Sequence, residues 1–186
     1  MIDKILKETE AILTGHFLLS SGKHSDKYVQ CAKLMQYPDK AETVIKEITS
    51  QLNDIQFETV CGPAMGGIIV AYELARQTGK KAVFTERENG EMKLRRGFEI
   101  KPGEKIIIAE DVITTGKSTY ETIKVLEELG AEIVAITCIA DRSKGNLKHT
   151  VYSAVQPDIE TWEKEECPLC KKGSTPVKPG SRKIEQ

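Results

Sequence analysis

Apolar residues in the first third of the chain follow two periods, one helical and one extended. Helical spacing predicts an amphipathic first helix over residues 2–13 and a second helix over about 39–52. Between them, residues 15–30 carry two apolar runs on either side of a polar turn, which favours a hairpin-like or extended segment. Residues 1–55 are therefore expected to form a helical N-terminal hood.

From residue 56 to residue 160, short apolar runs alternate with longer amphipathic stretches. The predicted strands span 57–61, 82–84, 105–109 and 133–140, and the predicted helices 68–77 and 117–129. Buried strands that alternate with helices predict an α/β fold, a Rossmann-like parallel β-sheet flanked by helices. Ligands of such sheets bind where the strands end. The loops at that edge are 62–67, 86–97, 110–116 and 141–145.

Length and composition fit one compact domain. The chain has 186 residues, of which 39% are hydrophobic and 30% charged, and this is enough to bury a single core. Residues 161–186 are rich in proline, glycine, lysine and serine, so they predict an irregular C-terminal tail.

Charge and cysteine usage exclude several classes of protein. Lysine and arginine number 27 against 28 aspartate and glutamate residues, which argues against nonspecific binding to nucleic acid. No apolar run approaches the roughly 18 residues of a membrane span, and the N-terminus lacks the apolar run of a signal peptide. The five cysteines are scattered as in a reducing compartment. We therefore expect a cytoplasmic protein without a membrane or nucleic-acid partner.

The most informative segment is 106–119. An apolar strand leads into the adjacent carboxylates Glu110 and Asp111, and then into a hydroxyl-rich loop that opens a helix. Amides and hydroxyls at a helix N-terminus bind anions, while carboxylates suit ribose hydroxyls. The segment therefore predicts a site for a sugar that carries a phosphate. The alternative is a turn in which Thr115 or Ser118 only caps the helix.

A nucleotide-binding loop does not fit this segment. The run Gly116-Lys117-Ser118 matches the end of a P-loop, but that pattern needs a glycine five positions before Gly116, where this chain has Asp111. A carboxylate there would repel nucleotide phosphates. The sequence also has no Gly-x-Gly-x-x-Gly pattern, so a dinucleotide loop is excluded as well.

Segment 110–119 resembles the ribose-phosphate-diphosphate (PRPP) motif of type I phosphoribosyltransferases, in which an apolar strand, two acids and a Thr/Gly loop follow one another. Three more segments resemble the orotate branch of that family more than its purine branches: 17–28, 62–67 and 141–142. The likeness runs in order over roughly residues 10–145. It implies the type I phosphoribosyltransferase fold, with PRPP bound by the core of residues 56–160.

The resemblance implies roles for the end of the strand and the loop after it. Glu110 and Asp111 would hold the ribose hydroxyls, with Asp111 also catalytic, and the backbone of 64–67 would approach the pyrophosphate. The implied PRPP-binding residues are Arg87, Glu110, Asp111, Val112, Ile113, Thr114, Thr115, Gly116, Lys117 and Ser118. Mg²⁺ is the implied cofactor, held mostly by substrate oxygens and waters.

The resemblance also implies the second substrate. Arg142 would pair with the orotate carboxylate and Thr114 would touch the base, whereas the alternative for Arg142 is a solvated ion pair with Asp141. The expected reaction joins orotate to PRPP and gives orotidine 5'-monophosphate and pyrophosphate in de novo pyrimidine biosynthesis. A purine-type phosphoribosyltransferase and a PRPP-sensing regulator that binds nucleic acid stay open as alternatives.

The charged segment 86–97 is the expected lid. In the family a mobile loop here closes over the site of the partner subunit, which implies a homodimer with shared lids. Arg87 and Lys93 are the implied catalytic cations, and Arg95 and Arg96 are candidates for the same role. The alternative is a solvated hairpin with alternating charges.

The chain departs from the better-known form of the family at several positions. Gly66 and Ser20 stand where that form has lysines, and the expected lid has no histidine. Lys23 or His24 could replace the missing lysines, and the alternative is that both are exposed turn residues.

A Cys-x-x-Cys pair near the C-terminus, Cys167 and Cys170, resembles half a zinc knuckle. It offers two ligands, whereas a structural zinc ion needs four. Two chains could pool their pairs, and otherwise the pair is a reduced turn. The sequence alone therefore assigns no metal-binding residues.

Overall fold

The computed structural model describes residues 1–19 and 21–179, so the departure at Ser20 and the end of the predicted tail lie outside the described residues. The strands are β1 (Ile12–Leu18), β2 (His24–Val29), β3 (Thr59–Pro63), β4 (Lys81–Glu88), β5 (Glu91–Leu94), β6 (Lys105–Ile113), β7 (Glu132–Asp141), β8 (Val151–Val155) and β9 (Thr161–Trp162). The helices are α1 (Ile2–Glu8), α2 (Ala32–Met35), α3 (Pro38–Thr49), α4 (Gly66–Thr78), α5 (Lys117–Glu128) and α6 (Pro168–Lys171). In this part of the chain, no helix is both long and apolar enough to cross a bilayer.

A six-stranded sheet in the order β5-β4-β3-β6-β7-β8 forms the centre of the fold. All neighbouring strands run parallel except β5, which pairs antiparallel with β4 at the edge. Ile107 of β6 packs with α3 and α4 on one face, and Ile106 and Ile108 pack with α5 on the other. These side chains are fully buried, and the arrangement confirms the predicted α/β sheet flanked by helices.

The central strand β6 is longer than the sequence predicts. It continues to Ile113 because it keeps pairing with β7 as far as Asp141. The predicted loop 110–116 is therefore reduced to residues 114–116, and both predicted site acids are strand residues.

The first helix ends earlier than predicted. It stops at Glu8, where the Thr9 hydroxyl donates to the Ile5 carbonyl at 2.8 Å and Glu10 follows with a φ of 55°. The apolar residues after it enter β1, which pairs with β2, so the predicted hairpin is confirmed. Strand β9 completes a second sheet in the order β1-β2-β9, and this sheet forms the hood.

The segment expected to be a lid loop forms a β-hairpin from β4 and β5. Asn89 and Gly90, with φ of 54° and 86°, make its two-residue turn, and Glu88 pairs with Glu91. Such a turn needs positive φ at both central residues, which asparagine and glycine tolerate. The charged-hairpin alternative therefore describes the fold of this segment, while a lid function stays a prediction.

Residues 161–179 return to the hood instead of forming a wholly irregular tail. Strand β9 pairs with β2, and the short helix α6 follows. Beyond it, the Val177 amide donates to the His16 carbonyl and the Leu18 amide donates to the Val177 carbonyl, both at 2.8 Å. The C-terminal segment is thus tied to both edges of the β1–β2 hairpin.

Candidate active site

The carboxyl ends of β3 and β6 meet in the middle of the large sheet. From β3 the chain crosses through α4 to β4 on one side, and from β6 it crosses through α5 to β7 on the other. Connections that leave in opposite directions open a crevice between the two strand ends, and α/β sheets bind their ligands there. The loop after β3 and residues 114–116 after β6 border this crevice.

Glu110 and Asp111 point to opposite faces of β6, as successive strand residues do. Glu110 is 8% exposed and lines a small cavity at the start of α5. Asp111 lines a second, more apolar cavity together with Met65 and Gly66. The two acids that are adjacent in sequence thus border different cavities.

Burial raises the pKa of both carboxyl groups. The pKa of Glu110 rises to about 8, mainly because the group is buried and further because Asp111 adds a like charge. Burial also raises the pKa of Asp111, although the Val112 amide opposes the rise by donating to Oδ1 at 2.8 Å. No lysine or arginine of residues 1–19 and 21–179 lowers either pKa. The site therefore holds two buried acids without a neutralising cation.

Two glycines at the start of α4 pack closely against β6. A Cβ on Gly66 would lie 2.4 Å from the carboxyl carbon of Asp111, and a Cβ on Gly67 would lie 2.7 Å from the Ala109 carbonyl oxygen. Real Cβ atoms do not come this close, so position 67, which faces the backbone of β6, needs glycine even without a ligand. A lysine at position 66, as in the better-known family form, would require Asp111 to move.

The start of α5 has a glycine-containing loop and no side-chain cap from the described part of the chain. Gly116 precedes it with a φ of 73°, and a Cβ there would lie 2.8 Å from Cδ2 of Leu147. No side chain of the described residues caps the helix, because Thr115 Oγ1 accepts from the Lys117 amide only at 3.4 Å. This geometry favours an anion site over a simple cap.

Most of the residues predicted to bind PRPP line one cavity of about 100 Å³ at this helix start. They are Glu110, Val112, Ile113, Thr114, Thr115, Gly116, Lys117 and Ser118. Asp111 faces the neighbouring apolar cavity, and Arg87 lines neither of the two.

Arg142 follows β7 and lines a larger cavity of about 510 Å³. Its guanidinium is half-buried, and burial lowers its pKa. The predicted alternative, an ion pair with Asp141, is not formed, because Asp141 Oδ1 accepts from the Ser143 amide at 2.8 Å. The charged fork of Arg142 is therefore available to an anionic ligand in this cavity.

Thr114 lines both the small and the large cavity, so the two predicted substrate subsites adjoin at this residue. The larger cavity has further lining residues that the sequence analysis did not single out: Lys144, Gln156, Pro157, Asp158, Ile159 and Thr161. No local motif marks them, since Lys144 follows β7, residues 156–159 follow β8, and Thr161 reaches the cavity on β9, which pairs with β2 in the hood.

The cations of the β4–β5 hairpin are paired within their own chain. Arg87 donates to the Glu121 carboxylate and, at 2.9 Å, to the Gly90 carbonyl, and Lys93 pairs with Glu88 at 3.0 Å. The remaining pairs are Lys93 with Glu91, Arg95 with Glu86 and Glu88, and Arg96 with Glu86. None of these cations lines the cavities at Thr114, so the structure does not bring them together with Glu110 or Arg142.

The two residues considered as replacements for the missing lysines are engaged elsewhere. Lys23 forms an ion pair with Glu163 at 2.9 Å. His24 is 3% exposed, and its Nδ1 lies 3.3 Å from the Cys170 sulfur. His24 is thus not an exposed turn residue, and the C-terminal segment holds both side chains.

Known proteins identify the family. The family model described as phosphoribosyl transferase domain matches residues 34–169. The curated orotate phosphoribosyltransferase of Caldanaerobacter subterraneus subsp. tengcongensis is 52% identical over 183 residues, which are 97% of this chain and 96% of that protein. The chain belongs to the orotate phosphoribosyltransferase family.

Solved structures of phosphoribosyltransferases share the fold. The orotate phosphoribosyltransferase from Aeropyrum pernix matches with a TM-score of 0.69 and 25% identity, covering 83% of this chain and 92% of that one. An adenine phosphoribosyltransferase from Rhodothermus marinus matches with a TM-score of 0.65 over 83% of this chain and 99% of that one. The latter is 19% identical, so it supports the fold alone. The predicted type I phosphoribosyltransferase fold is confirmed.

Removing the charge of Glu110 should flatten the pH dependence of stability in this phosphoribosyltransferase. A carboxyl group with a folded pKa of about 8 against an ordinary 4.5 binds a proton more tightly in the folded than in the unfolded chain. The free energy of unfolding should therefore fall as pH rises between these values, by up to about 1.4 kcal/mol per pH unit. Urea unfolding of wild type and Glu110→Gln across that range should show a shallower fall in the variant.

The matched control is Glu127→Gln, since Glu127 is an exposed carboxylate on α5. This variant should keep the wild-type slope of unfolding free energy against pH. Parallel curves for wild type and Glu110→Gln would contradict the raised pKa of Glu110.

Proposed function

We propose that this protein transfers the ribose 5-phosphate group from PRPP to orotate, giving orotidine 5'-monophosphate and pyrophosphate in pyrimidine biosynthesis. One observation carries the proposal: Thr114 joins an anion-binding helix start to a cavity that contains an uncompensated arginine. A phosphorylated sugar in the first cavity and an anionic base in the second would meet at this residue. The relative that is 52% identical supports the same reaction.

PRPP binding is assigned to the end of β6 and the start of α5. The amides and hydroxyls of residues 114–118 are suited to the 5-phosphate, because the helix dipole and unpaired amides favour a negative group. Glu110 and Asp111 are suited to accept hydrogen bonds from the ribose hydroxyls. A carboxylate that accepts such bonds is stabilised in its charged form, which offsets the burial that raises both pKa values.

Orotate binding is assigned to Arg142 and Thr114. A planar guanidinium can donate two parallel hydrogen bonds to a carboxylate, and Arg142 has no carboxylate partner among the described residues. The half-buried position strengthens such a pair, because the local dielectric is lower than in water. This selects a base that carries a carboxylate over purines and uracil.

The transfer needs no covalent nucleophile from the protein. Carbon 1 of the ribose becomes oxocarbenium-like as pyrophosphate leaves, and the chain holds the ring and the base in line. The buried thiols near the site are unsuited to attack, because burial raises the pKa of Cys31 well above its usual value and that of Cys61 to about 12. The residues of the chain therefore bind, orient and exclude water.

Mg²⁺ is proposed as the cofactor. Glu110 and Asp111 are the carboxylates at the end of β6, and no group of three metal-ligating side chains surrounds them within residues 1–19 and 21–179. This donor set fits an ion that takes one or two carboxylates and otherwise substrate oxygens and waters. When bound, Mg²⁺ supplies positive charge that neutralises the departing pyrophosphate.

We further propose a cytoplasmic homodimer in which the β4–β5 hairpin serves the partner's site. Its cations do not line the cavities of their own chain. Met65, Ile69 and Tyr72, at the start and along one face of α4, are exposed by 81%, 51% and 65%, and a second copy would cover this apolar stripe. All five cysteines are free thiols, in keeping with a reducing compartment.

The proposed function predicts the outcome of a base panel. Purified protein with PRPP and Mg²⁺ should release pyrophosphate with orotate, and not with adenine, guanine, hypoxanthine or uracil. Arg142→Gln should raise the KM for orotate more than the KM for PRPP, because only the base site loses a charge. Consumption of a purine or of uracil while orotate stays untouched would overturn the assignment.

The proposed sugar site predicts a strong effect of Asp111→Asn. The change removes a charge-assisted hydrogen bond to a ribose hydroxyl, worth about 1.5–3 kcal/mol, so kcat/KM for PRPP should fall by about 10- to 150-fold. The exposed Asp54 offers a control, and Asp54→Asn should leave kcat/KM unchanged. An unaltered kcat/KM in Asp111→Asn would remove Asp111 from the sugar site.

The shared lid predicts rescue between two inactive variants. If sites are shared, a heterodimer of an Arg142→Ala chain and an Arg87→Ala chain has both defects in one site and an intact second site. Under free subunit exchange half of the dimers carry one good site, so activity should recover to roughly a quarter of wild type. Mass spectrometry of differently tagged chains would demonstrate exchange, and exchange without recovery would mean that the hairpin serves its own chain.

A further inference from the structure

A second group of reactive side chains lies at the junction of the hood and the C-terminal segment. Its members are His16 on β1, His24 at the start of β2, Cys167 before α6 and Cys170 within α6. One nitrogen or sulfur atom of each lies within 4.8 Å of those of the others. His16, His24 and Cys167 are buried and Cys170 is half-buried, so the group is shielded from solvent. None of these residues belongs to the substrate cavities.

Three distances within this group fall in the range of a tetrahedral metal site. Nε2 of His16 lies 3.4 Å from the Cys167 sulfur and 3.8 Å from the Cys170 sulfur, and Nδ1 of His24 lies 3.3 Å from the Cys170 sulfur. Nitrogen and sulfur ligands at about 2.0–2.3 Å from zinc in a tetrahedron stand about 3.3–3.8 Å apart. The two histidine nitrogens are 2.9 Å apart and need to separate by only about 0.4 Å to fit.

A hydrogen bond outside the group prepares one histidine as a ligand. Nδ1 of His16 lies 3.1 Å from the Ser174 hydroxyl oxygen. With its proton on Nδ1, the ring donates to Ser174 and directs the lone pair of Nε2 at the two sulfurs. Metal-binding histidines are regularly held in this way by a partner on the other ring nitrogen.

The charge balance also identifies the occupant. Two thiolates and two neutral imidazoles carry a charge of about −2, which a divalent ion cancels, so the buried group becomes neutral. Two sulfur and two nitrogen donors in a tetrahedron are typical of structural zinc. A redox-active Cys-x-x-Cys pair would not explain why two histidines converge on it, and both thiols are free.

We propose that His16, His24, Cys167 and Cys170 of a single chain bind one structural zinc ion that fastens the C-terminal segment to the hood. Helix α6 has four residues, and a helix of that length is not stable alone. Its attachment continues to the Val177 pairing with β1 and to β9, whose Thr161 lines the larger cavity. The ion therefore also supports the wall of that cavity.

Metal analysis tests the site directly. Protein produced with zinc in the medium and purified with reductant but without chelator should contain one zinc ion per chain. Cys170→Ser and His24→Gln should lose most of it. The matched controls use a cysteine and a histidine outside the group, and Cys61→Ala and His149→Gln should keep one zinc per chain. A wild type without zinc, or controls that lose it as the ligand variants do, would overturn the proposal.

A cobalt titration keeps the test independent of whether the variants fold. Wild-type chain depleted of zinc should bind one equivalent of Co²⁺ and develop the intense visible bands of tetrahedral coordination together with sulfur-to-metal charge transfer. Zinc should then displace the colour, and chelation should lower the melting temperature and speed proteolysis after Glu163. Octahedral cobalt spectra, or a Cys167–Cys170 disulfide in freshly reduced protein, would contradict a zinc site of four ligands.

Discussion

Two carboxyl groups at the end of the central strand, buried Glu110 and half-buried Asp111, constrain the electrostatics and the packing around it. Glu110 and Asp111 have raised pKa values, and no lysine or arginine of the described residues compensates them. An ionised carboxylate in such surroundings is costly unless a ligand supplies hydrogen-bond donors or positive charge. Under the proposed function, the substrate supplies further hydrogen-bond donors to these two carboxylates. The Asp111 carboxyl also occupies the space of a Cβ at position 66, so a side chain there would require Asp111 to move.

The hairpin cations present the opposite case, because they are positive side chains that already have acidic partners. Arg87, Lys93 and Arg96 are held by acids of their own chain. Such exposed ion pairs contribute little to stability, so a multiply charged leaving group can replace the acids as their partner. Under the proposed dimer, the pairs keep the hairpin extended and soluble until a substrate binds. A rigid hairpin and a functional lid are therefore compatible.

The sequence predicts the core well because each of its elements carries its own signal. Buried strands end in glycine-containing loops, and the run from Glu110 to Ser118 combines acids, hydroxyls and a glycine that the fold places in one crevice. Some errors occur where a pairing partner distant in the sequence determines the secondary structure of a residue. Ile12 enters a strand because Val29 pairs with it. The Asn89-Gly90 turn was a local signal for the hairpin, but the surrounding charges favoured a loop.

The C-terminal segment shows the limit of local reasoning most clearly. Cys167 and Cys170 give only half of a zinc site, and the two histidines that complete it come from a hairpin about 150 residues earlier in the chain. Neither histidine has a ligand spacing that marks it, because the distance between them is set by how β1 pairs with β2. When β1 and β2 are paired, His24 lies beside Cys170 of α6, and β2 also pairs with β9. The proposed zinc site, the β1-β2-β9 sheet of the hood and the Thr161 wall of the larger cavity thus all depend on one strand, β2.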